Sequence, residues 1–342
     1  MQTSFNAPRV VVWGARGFIG RHLVPELLAR KYAVAVLTRG GSADRPPSWS
    51  SQVAWHELTS ADDRTGFSRA LANATIVFNL AGSSGAVSSN RHPVESLESN
   101  CRPQLEFLAA CQACGRGPHV VFASSRLVYA PKGTEPVGET DALAPRSMYA
   151  AHKLCVEQYH DIYARAEAIT YTVARISNPF GADAQADRKS HGVINTLIDR
   201  ARRGLPLQIF GRGSQLRDYL YVRDLVDGLM RCAEHPGARN QVLNIGRGRS
   251  VSMFQAALLI RERIGSGSIA FEPWPAEYEA VESGDYVADV SKAAALIGFA
   301  PQYDLASGLD DMVGHVRPGA HAALGDVAAE RCAPAADYSH TV

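Results

Sequence analysis

The chain has 342 residues, of which 46% are hydrophobic and 20% are charged, a composition typical of folded globular proteins. Its 35 basic and 34 acidic residues almost cancel, so charge gives no reason to expect a nucleic acid or an anionic membrane as a partner. The opening residues MQTSFNAPR lack the apolar core of a signal peptide, and no apolar run reaches the roughly 18 residues that a transmembrane helix needs. We therefore expect a cytoplasmic protein.

Short apolar runs alternate with helix-length segments through the first half of the chain. The continuous apolar, β-branched runs are typical of strands that are buried on both faces of a parallel sheet. Strands are predicted over 9–15, 33–38, 52–58, 75–82, 119–125 and 171–177, and helices over 18–30, 65–72, 95–114 and 147–167. This alternation predicts a doubly wound α/β fold of the Rossmann type.

The regular alternation of strands and helices ends at about residue 178. We therefore predict a dinucleotide-binding domain over 1–178 and a smaller α+β lobe over 179–314 that binds the substrate. The prediction leaves open whether later segments return to the main sheet. Residues 315–342 are rich in alanine without clear periodicity, which is typical of a weakly ordered tail.

Two cysteines, Cys111 and Cys114, have the CxxC spacing of some metal and redox sites. They lie in an apolar stretch with helical character, and no second pair of ligands at a suitable spacing follows. Core packing is therefore the preferred interpretation, because free cysteines are commonly buried, and we predict no metal site.

A glycine-rich turn follows the first predicted strand and reads Gly14-Ala15-Arg16-Gly17-Phe18-Ile19-Gly20. Between a buried strand and a helix, such a turn is typical of dinucleotide binding. Glycines allow the tight turn and the close approach of the backbone to a pyrophosphate, and the helix N-terminus attracts the phosphates.

The second predicted strand ends at Thr38 and Arg39. An acidic residue at this position would favour NAD, because it accepts hydrogen bonds from the ribose hydroxyls. Arg39 together with Arg16 could instead bind a 2′-phosphate. We therefore predict a nicotinamide dinucleotide as cofactor and favour NADP over NAD, while two solvated surface arginines remain the alternative.

A strand-end hydroxyl and a Tyr–Lys pair complete the candidate site. Ser125 lies at the end of the fifth predicted strand, where α/β sheets place reactive groups. Tyr149 and Lys153 are four residues apart, so a helix would present them on one face. With these motifs the chain resembles the extended short-chain dehydrogenase/reductase family, specifically its nucleotide-sugar epimerase and dehydratase branch. The resemblance spans 9–312 and also includes Ser177-Asn178-Pro179-Phe180-Gly181, Arg217-Asp218-Tyr219 and Gly284-Asp285.

The resemblance implies a role for each residue of this group. Tyr149 would take a proton from a sugar hydroxyl while hydride passes to the nicotinamide, and Ser125 would hydrogen-bond the same oxygen. Lys153 would hold the nicotinamide ribose and help to lower the tyrosine pKa, which is ordinarily near 10.

The resemblance also implies further contacts. The cofactor would be bound at the adenine by Glu57 and Leu58, along the phosphate–ribose path by Ala81 and Gly82, and by Asn100, for which an N-cap role is an equally good interpretation. The diphosphate of a nucleoside-diphosphate-sugar substrate would contact Asn178 and Arg217. A homodimer would form through a four-helix bundle of helices 95–114 and 147–167.

The chain departs from the family pattern in two places. Dehydratases carry Asp-Glu after the strand-end hydroxyl, whereas this chain has Arg126 and Leu127. Because leucine cannot transfer protons, we exclude 4,6-dehydratase chemistry and the decarboxylase branch. Glu282 occupies a position where the family often has arginine. A phosphate contact would then be lost, or supplied by another basic residue: Arg188, Lys189 or Arg247.

Three functions remain open. The first is a nucleotide-sugar 4-epimerase that oxidises C4 and reduces it from the other face. The second is a one-way NADPH-dependent reductase of a nucleoside-diphosphate 4-keto-6-deoxyhexose, which Arg39 supports. The third is a cofactor-binding protein without turnover, which retention of the catalytic group argues against. The sequence does not identify the sugar or the nucleotide.

Overall fold

The computed structural model describes residues 9–39, 48–115, 117–182 and 192–314. The predicted tail over 315–342 lies outside the described residues, as do Arg188 and Lys189. The strands are β1 Arg9–Trp13, β2 Ala33–Arg39, β3 Ala54–Leu58, β4 Ile76–Asn79, β5 His119–Ser125, β6 Thr170–Ile176, β7 Asn178–Phe180, β8 Leu207–Phe210, β9 Leu216–Tyr221, β10 Gln241–Ile245, β11 Ser250–Ser252 and β12 Ile269–Glu272.

Helices cover both faces of the main sheet and alternate with short strands in the second half of the described chain. They are α1 Phe18–Ala29, α2 Arg64–Leu71, α3 Ala86–Arg91, α4 Pro93–Asn100, α5 Arg102–Ala113, α6 Met148–Arg165, α7 Val193–Arg202, α8 Val222–Glu234, α9 Met253–Ile264, α10 Ala276–Ala280, α11 Ser291–Ile297 and α12 Leu305–Val313. Within the described ranges, no helix has both the length and the apolar character needed to cross a membrane.

Seven parallel strands form the main sheet in the order β10-β6-β5-β4-β1-β2-β3. Its central strands are apolar on both sides, because one core cluster lies on each face. Val10 and Val12 belong to one cluster and Val11 to the other, and all three are fully buried. The predicted Rossmann-type α/β fold is confirmed.

The last strand of the main sheet, β10, comes from the second half of the chain and pairs with β6. Helix α8 also packs against β5 and β6. Segments of the second half therefore do return to the main sheet, a question that the sequence left open. Helix α11 packs against β10 and adds Ala293 and Ile297 to a core cluster of the main sheet. Most of the remaining elements build a separate apolar cluster around a three-stranded sheet, β11-β9-β7, and a two-stranded sheet, β12-β8. The boundary at residue 178 itself stays a prediction.

The prediction of a single helix over 95–114 is wrong. The segment contains two helices, α4 and α5, with Cys101 between them. Pro103 explains the break, because proline lacks a backbone N–H and clashes with the carbonyl group four residues earlier. At the start of α5 this residue is well tolerated.

Candidate active site

A cavity of about 620 Å³ opens where β1, β4 and β5 end, a volume in the range of small-molecule sites. The chain places β2 and β3 on one side of β1 and β4, β5 and β6 on the other, and α/β proteins bind ligands where the strand order reverses in this way. Eleven of the predicted site residues line the cavity: Gly14, Gly17, Phe18, Ile19, Gly20, Ala81, Gly82, Ser125, Tyr149, Lys153 and Asn178. Seven others do not: Arg16, Thr38, Arg39, Glu57, Leu58, Asn100 and Arg217.

The glycine turn packs tightly at two of its three glycines. Gly14 has a φ of +92°, and a Cβ there would lie 2.8 Å from the carbonyl carbon of Leu80. A Cβ on Gly20 would lie 2.6 Å from the Cα of Ala15. Gly17 is less restricted, since the nearest atom to a Cβ would be the Gly14 carbonyl oxygen at 3.3 Å.

Helix α1 begins at the cavity with Gly17 as its N-cap and no acidic residue in its first turn. The N–H groups of a first helical turn have no partner within the helix, and the helix dipole adds partial positive charge. This arrangement attracts phosphates. The turn and the helix therefore fit the pyrophosphate of a dinucleotide.

The ends of β2 and β3 lie side by side, with Thr38 in register with Glu57 and Arg39 in register with Leu58. Thr38 and Leu58 are buried, whereas Arg39 and Glu57 are exposed. The predicted adenosine end of the site therefore carries one basic and one acidic side chain on neighbouring strands. Charge here does not by itself select a 2′-phosphate over a ribose hydroxyl.

Asn100 is the last residue of α4, and the alternative that it caps a helix is wrong because Cys101 is the N-cap of α5. Its buried side chain accepts a hydrogen bond from the backbone N–H of Ser83 at 3.1 Å and donates to the carbonyl oxygen of Ser96 at 3.0 Å. A Cβ on Gly82 would lie 2.4 Å from its Oδ1. Asn100 thus supports the loop after β4 from behind the cavity wall.

Helix α6 positions the Tyr–Lys pair. Ser147 caps the helix by accepting a hydrogen bond from the backbone N–H of Ala150 at 3.2 Å, which places Tyr149 in the first turn and Lys153 in the second. The Lys153 Nζ donates to the carbonyl oxygen of Ala123 at 2.7 Å and lies 5.8 Å from the centre of the Tyr149 ring. The helix thus holds the ammonium group between the end of β5 and the tyrosine.

The protein environment shifts the pKa values of both residues. Burial raises the pKa of Tyr149 to about 12, and hydrogen bonding with Ser125 partly offsets the increase. Burial lowers the pKa of Lys153 to about 8, although Glu157 opposes this. In the protein alone, therefore, Lys153 does not bring the tyrosine pKa below its ordinary value. Additional positive charge is needed for Tyr149 to act as a base near neutral pH.

A buried ion pair that sequence reasoning missed supports this end of the site. Glu157, one turn after Lys153, binds Arg175 of β6 with an Oε2–Nη2 distance of 2.7 Å and also accepts a hydrogen bond from the Ser124 hydroxyl. Both charged side chains are buried. The pair connects α6 to β5 and β6 and so fixes the helix that carries Tyr149 and Lys153.

Arg217 does not face the cavity, contrary to the expectation for a diphosphate contact. Its buried guanidinium donates to the carbonyl oxygens of Leu216 and Gly284, both at 2.8 Å, and forms an ion pair with Glu282 at 2.5 Å. The residue that replaces the family arginine therefore neutralises Arg217. Arg247, named from the sequence as an alternative phosphate contact, is also absent from the cavity wall.

The cavity wall contains a basic residue, Arg126, for which the sequence analysis predicted no role. It was noted there only because it replaces an acidic residue of the dehydratases. Arg126 follows Ser125 directly and donates from Nε to the Oδ1 of Asn178 at 3.0 Å. The Nδ2 of Asn178 in turn donates to the carbonyl oxygen of Asp218 at 3.0 Å. The sequence pattern that could have identified Arg126 as a site residue is an arginine immediately after a serine at the carboxyl end of a buried strand.

The two cysteines of the CxxC spacing have different environments. Cys111 is fully buried in the core, as expected, whereas Cys114 is exposed after α5. In the part of the chain that the structure describes, no three His, Cys, Asp or Glu side chains are grouped so that they could hold a metal ion.

Comparison with known proteins relates this geometry to a family. The chain is 28% identical over 307 residues to a putative UDP-glucose 4-epimerase of Methanocaldococcus jannaschii, covering 89% of this chain and 97% of the relative. Among solved structures, UDP-glucose 4-epimerase of Thermotoga maritima with UDP-glucose has a TM-score of 0.81 and 28% identity, over 90% of this chain and 98% of that chain. The complex of MoeE5 with UDP-glucuronic acid and NAD has a TM-score of 0.78 at the same identity and coverage.

A sequence model of the NAD-dependent epimerase/dehydratase family matches residues 10–246. This range runs from β1 to the end of β10, so it includes the glycine turn, Ser125 and the Tyr–Lys pair. The match covers more than half of the chain. The protein belongs to the NAD-dependent epimerase/dehydratase family of nucleotide-sugar enzymes, which are of the extended short-chain dehydrogenase/reductase type.

Proposed function

We propose that the protein is a nucleotide-sugar 4-epimerase. The observation that carries the proposal is that Ser125, Tyr149 and Lys153 line the same cavity as the glycine turn. A bound nicotinamide dinucleotide would supply the hydride acceptor and donor, and its oxidised ring would add positive charge. The relatives named as UDP-glucose 4-epimerases support the same reaction.

In this proposal Ser125 and Tyr149 bind one sugar hydroxyl. Tyr149 takes the proton of that hydroxyl as the carbon is oxidised and returns it when the carbon is reduced on the other face. Lys153 favours the phenolate as long as it stays an ammonium, and the Ala123 carbonyl keeps its Nζ in place. Asn178, in the cavity wall, is the proposed contact to the substrate diphosphate.

The residues after Ser125 favour epimerisation over elimination. Loss of water or carbon dioxide from the sugar needs a further acid or base beside the oxidised carbon. Leu127 cannot transfer protons, and Arg126 keeps its proton near neutral pH. A reaction that only oxidises and reduces one hydroxyl needs neither group.

The test is conversion of UDP-glucose and UDP-N-acetylglucosamine without an added reductant, followed by NMR. We expect the C4 epimer to form, and the same equilibrium mixture to result from either epimer. A Tyr149→Phe variant serves as the inactive control. Absence of an epimer across a panel of nucleotide sugars would contradict the proposal.

The reductase alternative is supported by the exposed Arg39 at the end of β2. A reductase would consume NADPH in proportion to an added nucleoside-diphosphate 4-keto-6-deoxyhexose, whereas an epimerase would consume none. Loss of NADPH absorbance therefore distinguishes the two reactions.

The choice between NAD and NADP can be tested on the same protein. The basic side chains of Arg16 and Arg39 are the reasons to favour NADP, whereas Glu57 in the neighbouring strand and the family description argue for NAD. Isothermal titration with both dinucleotides measures the preference. Equal or tighter binding of NAD would refute the preference for NADP, and oxidised dinucleotide that co-purifies with the protein would favour the epimerase.

We also propose that the protein forms a homodimer through α4, α5 and α6. These helices carry exposed apolar side chains, among them Leu97, Leu105 and Ile162, which are 44%, 40% and 59% exposed. Size-exclusion chromatography with light scattering should give the mass of a dimer, and Ile162→Glu should give a monomer. Phe271→Glu changes an equally exposed apolar residue in β12 and should leave the dimer intact.

A further inference from the structure

The Arg126 side chain is a buried cation in the wall of the cavity, next in sequence to Ser125. Its Nε donates to Asn178 and its Nη1 donates to the Ser283 hydroxyl, both at 3.0 Å. The guanidinium carbon lies 5.2 Å from the centre of the Tyr286 ring. Two separate segments, at Asn178 and at 283–286, thus hold the guanidinium group in one orientation.

The contacts of Arg126 leave both its charge and part of its hydrogen-bonding capacity unused. A guanidinium has five N–H donors, and both side-chain acceptors here are neutral oxygens. Among the described residues, no carboxylate forms an ion pair with Arg126 and no acceptor binds its Nη2 group. Buried arginines are normally paired with an anion.

The Glu282 carboxylate, whose charge acts on Arg126, is committed to another arginine. Glu282 binds Arg217 at 2.5 Å and accepts a hydrogen bond from the backbone N–H of Gly284 at 2.9 Å. Burial, and next the charge of Arg217, lower the pKa of Arg126 to about 10, so Arg126 stays charged near neutral pH. Within the described residues, this wall of the cavity therefore carries a positive charge that no carboxylate pairs with.

We propose that Arg126 binds an anionic oxygen group of the substrate, either a carboxylate on the sugar or an oxygen of the diphosphate. A guanidinium binds both groups through two parallel hydrogen bonds. Its place beside Ser125, where the sugar reacts, favours the carboxylate, whereas its bond to Asn178 favours the diphosphate. This inference rests on the proposed function, because it names the chemistry that the same site recognises.

The test is binding of UDP, UDP-glucose and UDP-glucuronic acid to the dinucleotide-loaded protein, measured by isothermal titration. Arg126→Gln is compared with the wild type and with Arg212→Gln, which changes an exposed arginine. If the partner is a sugar carboxylate, Arg126→Gln weakens binding of UDP-glucuronic acid about 10- to 100-fold, typical of a charge-assisted contact, and the other two ligands change less than about threefold. If the partner is the diphosphate, all three ligands weaken to a similar extent.

Unchanged affinities in Arg126→Gln, with normal dinucleotide binding as proof of folding, would overturn the assignment and leave the proposed function intact. A wild-type protein that binds none of the three ligands, and no other nucleotide sugar of the epimerase panel, would overturn both. If Arg126→Gln does not fold, Arg126→Lys keeps the charge but loses the planar fork. It should weaken the affected ligands at least fivefold, and wild-type affinities in this variant would refute the assignment.

Discussion

Replacing Lys153 by methionine should inactivate the enzyme and stabilise the folded protein. Burial lowers the pKa of Lys153 from 10.5 to about 8. At about 1.4 kcal/mol per pKa unit, holding the ammonium in this site destabilises the folded state by roughly 3 kcal/mol below pH 8. Methionine also loses the charge-assisted hydrogen bond to the Ala123 carbonyl, worth about 2 kcal/mol. We expect a net gain of roughly 1 kcal/mol at pH 7 for Lys153→Met.

The pH dependence of this gain separates the charge from other effects of the substitution. Between about pH 8 and pH 10.5 the unfolded wild-type chain keeps the proton that folded Lys153 has lost, so wild-type stability rises with pH. Lys153→Met lacks this rise. Its advantage should therefore fall by about 2 kcal/mol between pH 7 and pH 9.5.

Urea unfolding of the dinucleotide-free proteins, followed by tryptophan fluorescence at several pH values, measures the difference. Lys292→Met is a matched control, because the Lys292 Nζ also donates to a backbone carbonyl, that of Val242 at 2.9 Å, from a partly exposed position. It should cost about 1 kcal/mol or less at every pH. A Lys153→Met variant that is less stable than the wild type at pH 7, or an advantage independent of pH, would refute the reasoning.

Five further substitutions test other parts of the site. Tyr149→Phe should lower kcat about 10²- to 10⁴-fold in an epimerase assay without changing Tm, since only the hydroxyl is removed; near-normal turnover would exclude it as the base. Glu157→Gln should lower the free energy of unfolding by about 3–5 kcal/mol because it leaves Arg175 buried without its partner. Adding Arg175→Met should recover much of that loss, and a mild effect of the single change in urea unfolding would contradict a tight pair. Gly20→Ala should destabilise the protein by about 1–3 kcal/mol through overpacking. Gly17→Ala should fold normally but bind the dinucleotide more weakly by isothermal titration, and the opposite ranking would place the phosphates elsewhere.

The central part of the site could be predicted because its residues follow local rules. The carboxyl ends of parallel strands meet at one edge of a sheet, so Gly14, at the end of β1, and Ser125, at the end of β5, had to lie near each other once the strands were recognised. A spacing of four on a helix then brought Tyr149 and Lys153 to the same place. The break at Cys101 was equally local, since Pro103 is visible in the sequence, and the prediction of one long helix did not apply that rule.

The alternating strands and helices, the glycine turn and the Ser–Tyr–Lys group can be read from local sequence patterns, because their signals lie within a few residues of one another. The distribution of charge around that group emerges instead from contacts between distant parts of the chain. Glu282 reaches Arg217 across 65 positions, and Arg126 meets Ser283 across 157. Such pairs depend on which loops the fold brings together, and no local periodicity encodes them. For that reason the arginine expected at the substrate turned out to be neutralised, whereas Arg126 at the cavity wall has no acidic partner among the described residues.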